Sequence, residues 1–256
     1  MDFSISAITD AGIKRRVNQD CIMARTLMTE LGRACFAVLC DGMGGLQKGE
    51  IASTSVVMAL SDWMYRELPQ LIRDGFREDA LFAQWRSVME DMNQSILQYG
   101  ENNDCRIGTT AVALLAIAGS CYLMNIGDSR AYRMDEAGLF RLTEDHSYVA
   151  DRVRAGELTP EQAEHSPKRN VLTRCVGAKS GCDPDFFVDK LNAPCMYLLC
   201  SDGFRHELSN EEMYVTLFQS GDRSPEAIRA AELELIERNK QRGETDNISV
   251  ITIYVS

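Results

Sequence analysis

The fold class is decided by residues 110–126, which read TAVALLAIAGSCYLMNI. Two apolar runs, 110–117 and 121–126, flank the short segment Ala118-Gly119-Ser120. Apolar runs of this length with a glycine-containing link are typical of a β-hairpin. The strands of a hairpin are antiparallel, since a parallel pair needs a much longer crossover. The stretch therefore predicts an antiparallel sheet.

Further strands and two long helices are predicted on either side of this hairpin. Strand-like apolar runs occur at 34–40, 196–200 and 248–255, and Asp135-Glu136-Ala137-Gly138 marks a second hairpin turn. Two other segments repeat apolar residues every three or four positions, as an amphipathic helix does. Their apolar positions are Ala52, Val56, Ala59, Leu60, Trp63, Met64 and Leu68 in the first and Leu81, Trp85, Val88, Met92, Ile96 and Tyr99 in the second. This pattern predicts an α+β fold in which helices cover an antiparallel sheet.

The whole chain, 1–256, is predicted to be one domain with a polar insertion. Residues 143–182 hold only short apolar runs and contain Thr159-Pro160-Glu161-Gln162, a capping box that begins a helix. Ser209 begins a further short helix by the same capping logic, and Ser224-Pro225 begins another helix that runs towards Arg242-Gly243. We therefore expect a small helical insertion at about 143–182 rather than a second domain.

The charge and the cysteine content exclude several classes of protein. With 38 acidic and 27 basic side chains the formal charge is −11, which argues against a nucleic-acid binder, because such a protein needs a basic face. No run of about 18 apolar residues occurs, so no membrane span is predicted. The N-terminus lacks the basic and apolar regions of a signal peptide. The nine cysteines form no Cys-x-x-Cys pair, and we expect buried, reduced thiols in a cytoplasmic protein.

Several common catalytic motifs are absent from the sequence. There is no Gly-Lys-Ser/Thr for a phosphate-binding P-loop, and no cysteine is followed six residues later by arginine. Gly127-Asp128-Ser129-Arg130-Ala131 ends in alanine and is not a nucleophile elbow. The three histidines, His146, His165 and His206, are too scattered for a zinc-binding helix. These absences exclude P-loop, cysteine-phosphatase, serine-hydrolase and zinc-peptidase chemistry.

Acidic residues recur where the predicted strands begin or end. They are Asp20 before the run at 21–23, Asp41 after 34–40, Asp128 after 122–126, Asp202 after 196–200 and Asp246 before 248–255. Each Asp-Gly or Asp-Asn pair alone is a common turn, but strand ends that converge at one edge of a sandwich would bring these carboxylates together. Two carboxylates about 5 Å apart repel by about 3 kcal/mol at an effective dielectric near 20. The cluster therefore predicts bound cations, and its oxygen ligands favour Mg²⁺ or Mn²⁺ over zinc.

An ordered set of short motifs gives a more specific indication. In chain order they are Arg15-x-x-Asn18-Gln19-Asp20, Asp41-Gly42-Met43-Gly44-Gly45, Gly108-Thr109-Thr110, Gly127-Asp128-Ser129-Arg130, Ser201-Asp202-Gly203 and Asp246-Asn247. The set spans residues 12–253 and resembles that of the metal-dependent protein phosphatase 2C (PPM) family, in particular its bacterial serine/threonine phosphatases. The resemblance implies a four-layer α-β-β-α sandwich of two antiparallel sheets flanked by helices. It also implies that 143–182 is a flap beside the active site.

The resemblance further implies a centre of two divalent cations, Mn²⁺ or Mg²⁺. By position, Asp41 would bridge both cations and the Gly42 carbonyl would bind one of them. Asp202 and Asp246 would hold the other cation. A water that bridges the two cations would attack phosphorus directly, without a phosphoenzyme.

Three more side chains receive roles from the same resemblance. Asp20 would act on the centre through bound water, and Asp128 together with Asp202 would hold a third cation, as in bacterial relatives. Arg15 would clamp the substrate phosphate, although the neighbouring Arg16 could take this role.

Two positions depart from the family pattern. Gln19 stands where many relatives have glutamate, and Met43 stands where eukaryotic relatives have a histidine proposed as the general acid. A thioether carries no proton, so the acid would be a cation-bound water or one of the three histidines. We expect each histidine to be a solvated surface residue, because nothing nearby in the sequence fixes its ring.

The expected substrates are phosphoserine and phosphothreonine proteins, among them a partner serine/threonine kinase. The chain is expected to act as a monomer, without nucleic-acid or membrane partners. Two other functions compete with this interpretation. An inactive relative that only senses phosphoproteins is disfavoured because Asp41, Asp202 and Asp246 are all present, and a Mg²⁺-dependent nuclease is disfavoured by the net charge of −11.

Overall fold

Two antiparallel sheets are the framework of the molecule. The computed structural model describes residues 1–44, 48–178, 181–219 and 221–256. Its strands are β1 (Phe3–Asp10), β2 (Asp20–Thr29), β3 (Gly32–Gly44), β4 (Ile107–Thr109), β5 (Ala111–Ile117), β6 (Ser120–Ile126), β7 (Arg130–Asp135), β8 (Gly138–Arg141), β9 (Asp185–Lys190), β10 (Cys195–Cys200) and β11 (Ile248–Val255). The first sheet has the order β1-β11-β10-β7-β8, and the second has the order β2-β3-β5-β6-β9, with β4 paired to β3.

Helices lie between these strands in the sequence, and most of them cover the outer faces of the sheets. They are α1 (Gly49–Arg66), α2 (Leu68–Arg73), α3 (Glu78–Asn102), α4 (Tyr148–Arg154), α5 (Pro160–Glu164), α6 (Asp202–Arg205), α7 (Asn210–Tyr214) and α8 (Pro225–Arg242), with a π-helical turn at Val215–Gln219. The predicted capping boxes at Thr159 and Ser209 are both formed, and Ser224 caps α8.

The predicted hairpin at 110–126 is confirmed by the pairing of β5 with β6. The register runs from Ala111 opposite Ile126 to Ile117 opposite Ser120. Ala118 and Gly119 both have positive φ, 52° and 80°, as the two central residues of a type I′ turn require. This turn matches the twist of the flanking strands, which explains why so short a link closes the hairpin.

Three clusters of buried apolar side chains fill the spaces between the layers. One lies between the second sheet and the helices α1 and α3, where the rings of Phe36, Trp63 and Trp85 lie 5.6 to 6.0 Å apart. Another lies between the two sheets, and the third lies between the first sheet and α6–α8. The order helix, sheet, sheet, helix confirms the α+β, four-layer α-β-β-α sandwich.

Two expectations from composition can be compared with the structure. Six of the nine cysteines are buried as expected, whereas Cys21, Cys105 and Cys175 are only partly buried; none of the nine is in a disulfide among the described residues. In the part of the chain that the structure describes, no helix combines the length and the apolar character that crossing a membrane would need.

One buried carboxyl group lies far from the aspartates. Glu232 on α8 is buried against the first sheet and accepts a hydrogen bond from the hydroxyl of Ser6 on β1. Burial raises the pKa of Glu232 to about 7, from an ordinary value of 4.5. The folded protein therefore holds this proton up to a higher pH than the unfolded chain does.

The Glu232→Gln variant should lose one component of the pH dependence of stability. Because the folded pKa is raised, the wild-type free energy of unfolding falls as pH rises from about 4.5 to 7, by about 3 kcal/mol for this group. An amide does not titrate, so the variant should show a smaller fall. Urea unfolding of both proteins at pH 5 and pH 8, in chelator, measures the difference. Equal falls in the two proteins would show that Glu232 does not hold a proton in the fold.

Candidate active site

Five aspartates stand at one edge of the sandwich, each placed there by a strand end. Asp20 begins β2 and lies opposite Asp41 of β3. Asp128 lies between β6 and β7, Asp202 begins α6 two residues after the end of β10, and Asp246 lies two residues before β11. The charges of the other four all act on Asp41. The structure thus brings together all five carboxylates that the sequence singled out.

Burial and mutual repulsion raise the pKa values of three of these carboxyl groups. Burial raises the pKa of Asp41 well above its ordinary value, and the neighbouring charges, that of Asp20 first, raise it further. Burial, with smaller contributions from nearby carboxylates, raises the pKa of Asp20 to about 7 and that of Asp128 to about 7. Without a bound cation, these groups therefore hold protons near neutral pH.

The donor atoms at this edge fit divalent cations. Oδ1 of Asp20 and Oδ1 of Asp202 are buried and have no hydrogen-bond partner among the described residues. Carboxylate oxygens are ligands for hard cations such as Mg²⁺ and Mn²⁺. No group of three His, Cys, Asp or Glu side chains within the described ranges is already placed to hold one ion. The carboxylates are close enough for their charges to act on one another, but no three of these side chains among the described residues converge on one point.

Hydroxyl groups fix the backbone of Asp41. Thr110 Oγ1 accepts a hydrogen bond from the Asp41 N–H at 2.9 Å, and Thr109 Oγ1 donates to the Asp41 carbonyl at 2.9 Å. Thr110 Oγ1 also lies 2.7 Å from Oγ of Ser129, next to Asp128. The Gly108-Thr109-Thr110 motif thus links the two segments that carry Asp41 and Asp128.

Gly42 is required by the close approach of two backbone segments. A Cβ at this position would lie 2.4 Å from the carbonyl oxygens of Gln19 and Gly49. The Gly42 N–H donates to the Gln19 carbonyl at 3.1 Å. Any larger residue would push the segment before β2 away from β3 and separate Asp20 from Asp41. Gly45 of the same motif lies outside the described residues.

The structure places Arg15, rather than Arg16, against the aspartates. Arg15 Nη2 lies 2.9 Å from Oδ2 of Asp246, and its side chain is half exposed. This hydrogen bond from Arg15 to Asp246 is the main cause that raises the pKa of the arginine. Arg16 is exposed and takes part in none of the ion pairs found within the described part of the chain. The guanidinium of Arg15 therefore lies at the entrance to the cluster.

Comparison with known proteins shows the family to which the chain belongs. The sequence profile of the family described as Protein phosphatase 2C matches residues 13–234. The chain belongs to the protein phosphatase 2C family.

Named relatives and solved structures agree with this membership. The chain is 33% identical to the serine/threonine phosphatase stp of Listeria monocytogenes over 218 residues, which cover 84% of this chain and 82% of that protein. It is 35% identical to protein phosphatase PhpP of Streptococcus pneumoniae over 213 residues, covering 82% of each. The serine/threonine phosphatase of S. agalactiae superposes with a TM-score of 0.86 at 32% identity, over 100% of both chains.

A further structure bears on the cations of the protein phosphatase 2C centre. The catalytic domain of the serine threonine protein phosphatase PstP, in complex with two manganese ions, superposes with a TM-score of 0.79 at 28% identity. The superposition covers 98% of this chain and 97% of that one. Dependence on a divalent cation, as predicted from the sequence, follows from membership of the family.

The expectation of solvated histidines is wrong for His146 and His206. His146 is 1% exposed, with Nε2 2.9 Å from Oδ2 of Asp185. His206 is partly buried, with Nδ1 3.2 Å from Oε2 of Glu244. Both rings are fixed by carboxylates that are distant in sequence, which short-range reasoning could not see. Only His165 is exposed as expected.

Arg205 is a residue of the site that the sequence analysis missed. Its side chain is only 13% exposed, and Nη2 lies 3.8 Å from Oδ2 of Asp128 and 3.4 Å from the Asp128 carbonyl oxygen. The charge of Arg205 partly offsets the effect of burial on the pKa of Asp128. The sequence offered one indication of this role: Arg205 lies three residues after Asp202, in the segment that follows the predicted strand at 196–200.

Metal binding should stabilise this protein phosphatase 2C. The pKa values of Asp20, Asp41 and Asp128 are raised in the folded protein, so its free energy of unfolding should fall as pH rises from about 4 to 7. We therefore expect the cation-free protein to be less stable at pH 8 than at pH 5. Mn²⁺ at about 100 times its dissociation constant should add about 2.7 kcal/mol at pH 8. Asp41→Asn should melt higher than wild type in chelator, because repulsion is relieved, and should gain less from Mn²⁺. Thermal melts with and without Mn²⁺ measure this, and a wild-type melting temperature unchanged by Mn²⁺ would contradict a cation-binding cluster.

Proposed function

We propose that the aspartate cluster is the centre at which this chain removes phosphate from phosphoserine and phosphothreonine side chains. The chain is a serine/threonine protein phosphatase of the protein phosphatase 2C family. The observation that carries the assignment of the centre is the convergence of five aspartates from separate strand ends, with Arg15 beside them.

The proposed ligands follow the positions of these residues. Asp41, the Gly42 carbonyl, Asp202 and Asp246 would hold two divalent cations, Mn²⁺ or Mg²⁺. Asp128, with Asp202, would hold a third cation, and Asp20 would act through water. The raised pKa values of Asp20, Asp41 and Asp128 support this assignment, because they reflect burial and repulsion among carboxylates. A bound cation would offset that repulsion.

The groups at the proposed centre have different roles in hydrolysis. Divalent cations, when bound, would make a deprotonated water available as nucleophile and would offset negative charge on the phosphoryl oxygens. Arg15 is half exposed, so its guanidinium can turn from Asp246 to bind two oxygens of the substrate phosphate. Ser249 Oγ donates to Oδ2 of Asp20 at 2.6 Å and fixes the orientation of that carboxylate.

Direct attack by water is supported by the state of the thiol next to Asp41 in the sequence. Cys40, the neighbour of Asp41, is buried, and burial raises its pKa well above the ordinary value. It therefore stays protonated and is a poor nucleophile. Met43 carries no proton, so the leaving alkoxide is proposed to take its proton from water at the aspartate cluster.

We propose a single domain, 1–256, in which 143–182 forms a flap over a substrate cleft. A cleft of about 1190 Å³ lies between this segment and the α6–α7 region, and Asp128 is among its lining residues. Bridges between Ser147 and Leu172 and between Thr109 and Val176 attach the segment at its base. Residues 179 and 180 of the proposed flap lie outside the described part. A substrate polypeptide in this cleft would place its phosphorylated side chain beside Asp128.

The proposed partners are phosphoproteins, among them a partner serine/threonine kinase, with the chain acting as a cytoplasmic monomer. The relatives named as serine/threonine phosphatases support the class of substrate. No observation favours the nuclease or the inactive sensor.

Asp41→Asn and Asp202→Asn should each abolish release of phosphate from a phosphothreonine peptide, because each removes a ligand charge. Asp62→Asn, on the exposed face of α1, is a matched control and should retain the wild-type rate. Phosphate release with Mn²⁺, and again after exhaustive chelation, measures the effect. Full activity without metal would contradict the proposal, and peptide binding without hydrolysis by the wild type would favour the sensor.

Asp128→Ala should lose turnover while retaining the two core cations, because Asp128 stands on a separate turn from the other ligands. Bound manganese per chain, measured after desalting, together with turnover on the phosphopeptide, tests this. A variant with no bound manganese would show that Asp128 belongs to the core site.

A further inference from the structure

The buried histidine of the proposed flap contacts the turn that carries Asp128. Nδ1 of His146 accepts a hydrogen bond from the Gly127 N–H at 3.2 Å. The backbone N–H of His146 donates to the Gly127 carbonyl at 2.9 Å. One residue thus engages both backbone polar groups of Gly127, and Gly127 is the residue directly before Asp128.

Gly127 needs this external support because its own conformation is unusual. Its φ is +105°, and a Cβ would lie 2.5 Å from Cγ2 of Thr110, so only glycine fits. Glycine has no side chain with which to fix the turn, and its backbone has the greatest conformational freedom of any residue. The orientation of Asp128 therefore depends on groups that bind the Gly127 backbone from outside.

The opposite side of the ring fixes its tautomer. Nε2 lies 2.9 Å from Oδ2 of Asp185, at the start of β9, and Arg174 Nη1 binds Oδ1 of the same carboxylate at 2.9 Å. Burial acts to raise the pKa of Asp185, but the hydrogen bond from His146, together with the hydrogen bond and charge of Arg174, outweighs it and holds that pKa below its ordinary value. The ionised Asp185 accepts the Nε2 proton, which leaves Nδ1 free of a proton and able to accept from Gly127.

We propose that His146, in its Nε2–H tautomer, is a positioning residue that sets the orientation of Asp128 through the N–H of Gly127. This inference rests on the proposed function, because its consequence for turnover passes through Asp128. His146 does not touch the reacting atoms. Its loss should therefore slow hydrolysis of a phosphopeptide and of p-nitrophenyl phosphate alike, whereas the loss of a general acid would spare the second substrate.

Two amide variants separate the two sides of the ring. In His146→Asn, the amide oxygen replaces Nδ1 and can accept from Gly127, although the bond to Asp185 is lost. In His146→Gln, the amide reaches the position of Nε2 and keeps Asp185, but no acceptor faces Gly127. We expect His146→Gln to lose about 10–100-fold in turnover on both substrates, and His146→Asn to retain most of it. His165→Gln, an exposed histidine of the same segment, is the matched control and should match wild type.

Hydrogen exchange at the Gly127 amide tests the hydrogen bond from Gly127 N–H to His146 Nδ1 directly, without metal or substrate. The amide should be protected in the wild type and in His146→Asn, and should exchange faster in His146→Gln. Equal protection in the two variants, or equal turnover of the two, would overturn the proposal. If the wild type lacked phosphatase activity, the proposed function would fail, and the exchange result would still decide the role of His146.

A double variant tests the route through Asp128. In the Asp128→Ala background, His146→Gln should cause no further loss of turnover, because the side chain that it orients is already gone. A further loss equal to that of the single variant would show that His146 acts by another route and would overturn the proposal.

Discussion

The mutual repulsion of five buried or half-buried aspartates is the constraint on which the rest of the site depends. Strand ends from both sheets bring these groups to one edge, where burial and like charge raise the pKa values of Asp20, Asp41 and Asp128. A fold that concentrates acid in this way is stable with positive charge or with bound protons. We therefore propose that this site exchanges protons for divalent cations, and that the exchange makes its activity depend on those cations.

Hydroxyl groups and backbone contacts hold the cluster together against this repulsion. Thr109 and Thr110 bind the backbone of Asp41, and Ser249 binds the carboxylate of Asp20. Gly42 lets the segments that carry Asp20 and Asp41 lie within contact distance. Each of these contacts joins segments that are distant in sequence, so the geometry of the site is a property of the whole sandwich.

The sequence was sufficient for features that depend on local patterns. The hairpin at 110–126 was predictable because its two strands and its turn are adjacent, and the aspartates were predictable because strand ends meet at the edge of a sandwich. The burial of His146 was not predictable, because its partners Gly127 and Asp185 lie 19 and 39 residues away and approach only after the sheets have packed. Arg205 was missed for the same reason, since its partner Asp128 lies 77 residues away.

The central claim is that the aspartate cluster takes up cations in exchange for protons. Calorimetric titration of the wild type with Mn²⁺, in buffers of different ionisation enthalpy, counts the protons released on binding. The account predicts net release at pH 6, where the raised pKa values of Asp20, Asp41 and Asp128 keep protons in the cation-free site, and less release at pH 9. Mn²⁺ binding at pH 6 without release of protons would contradict the account.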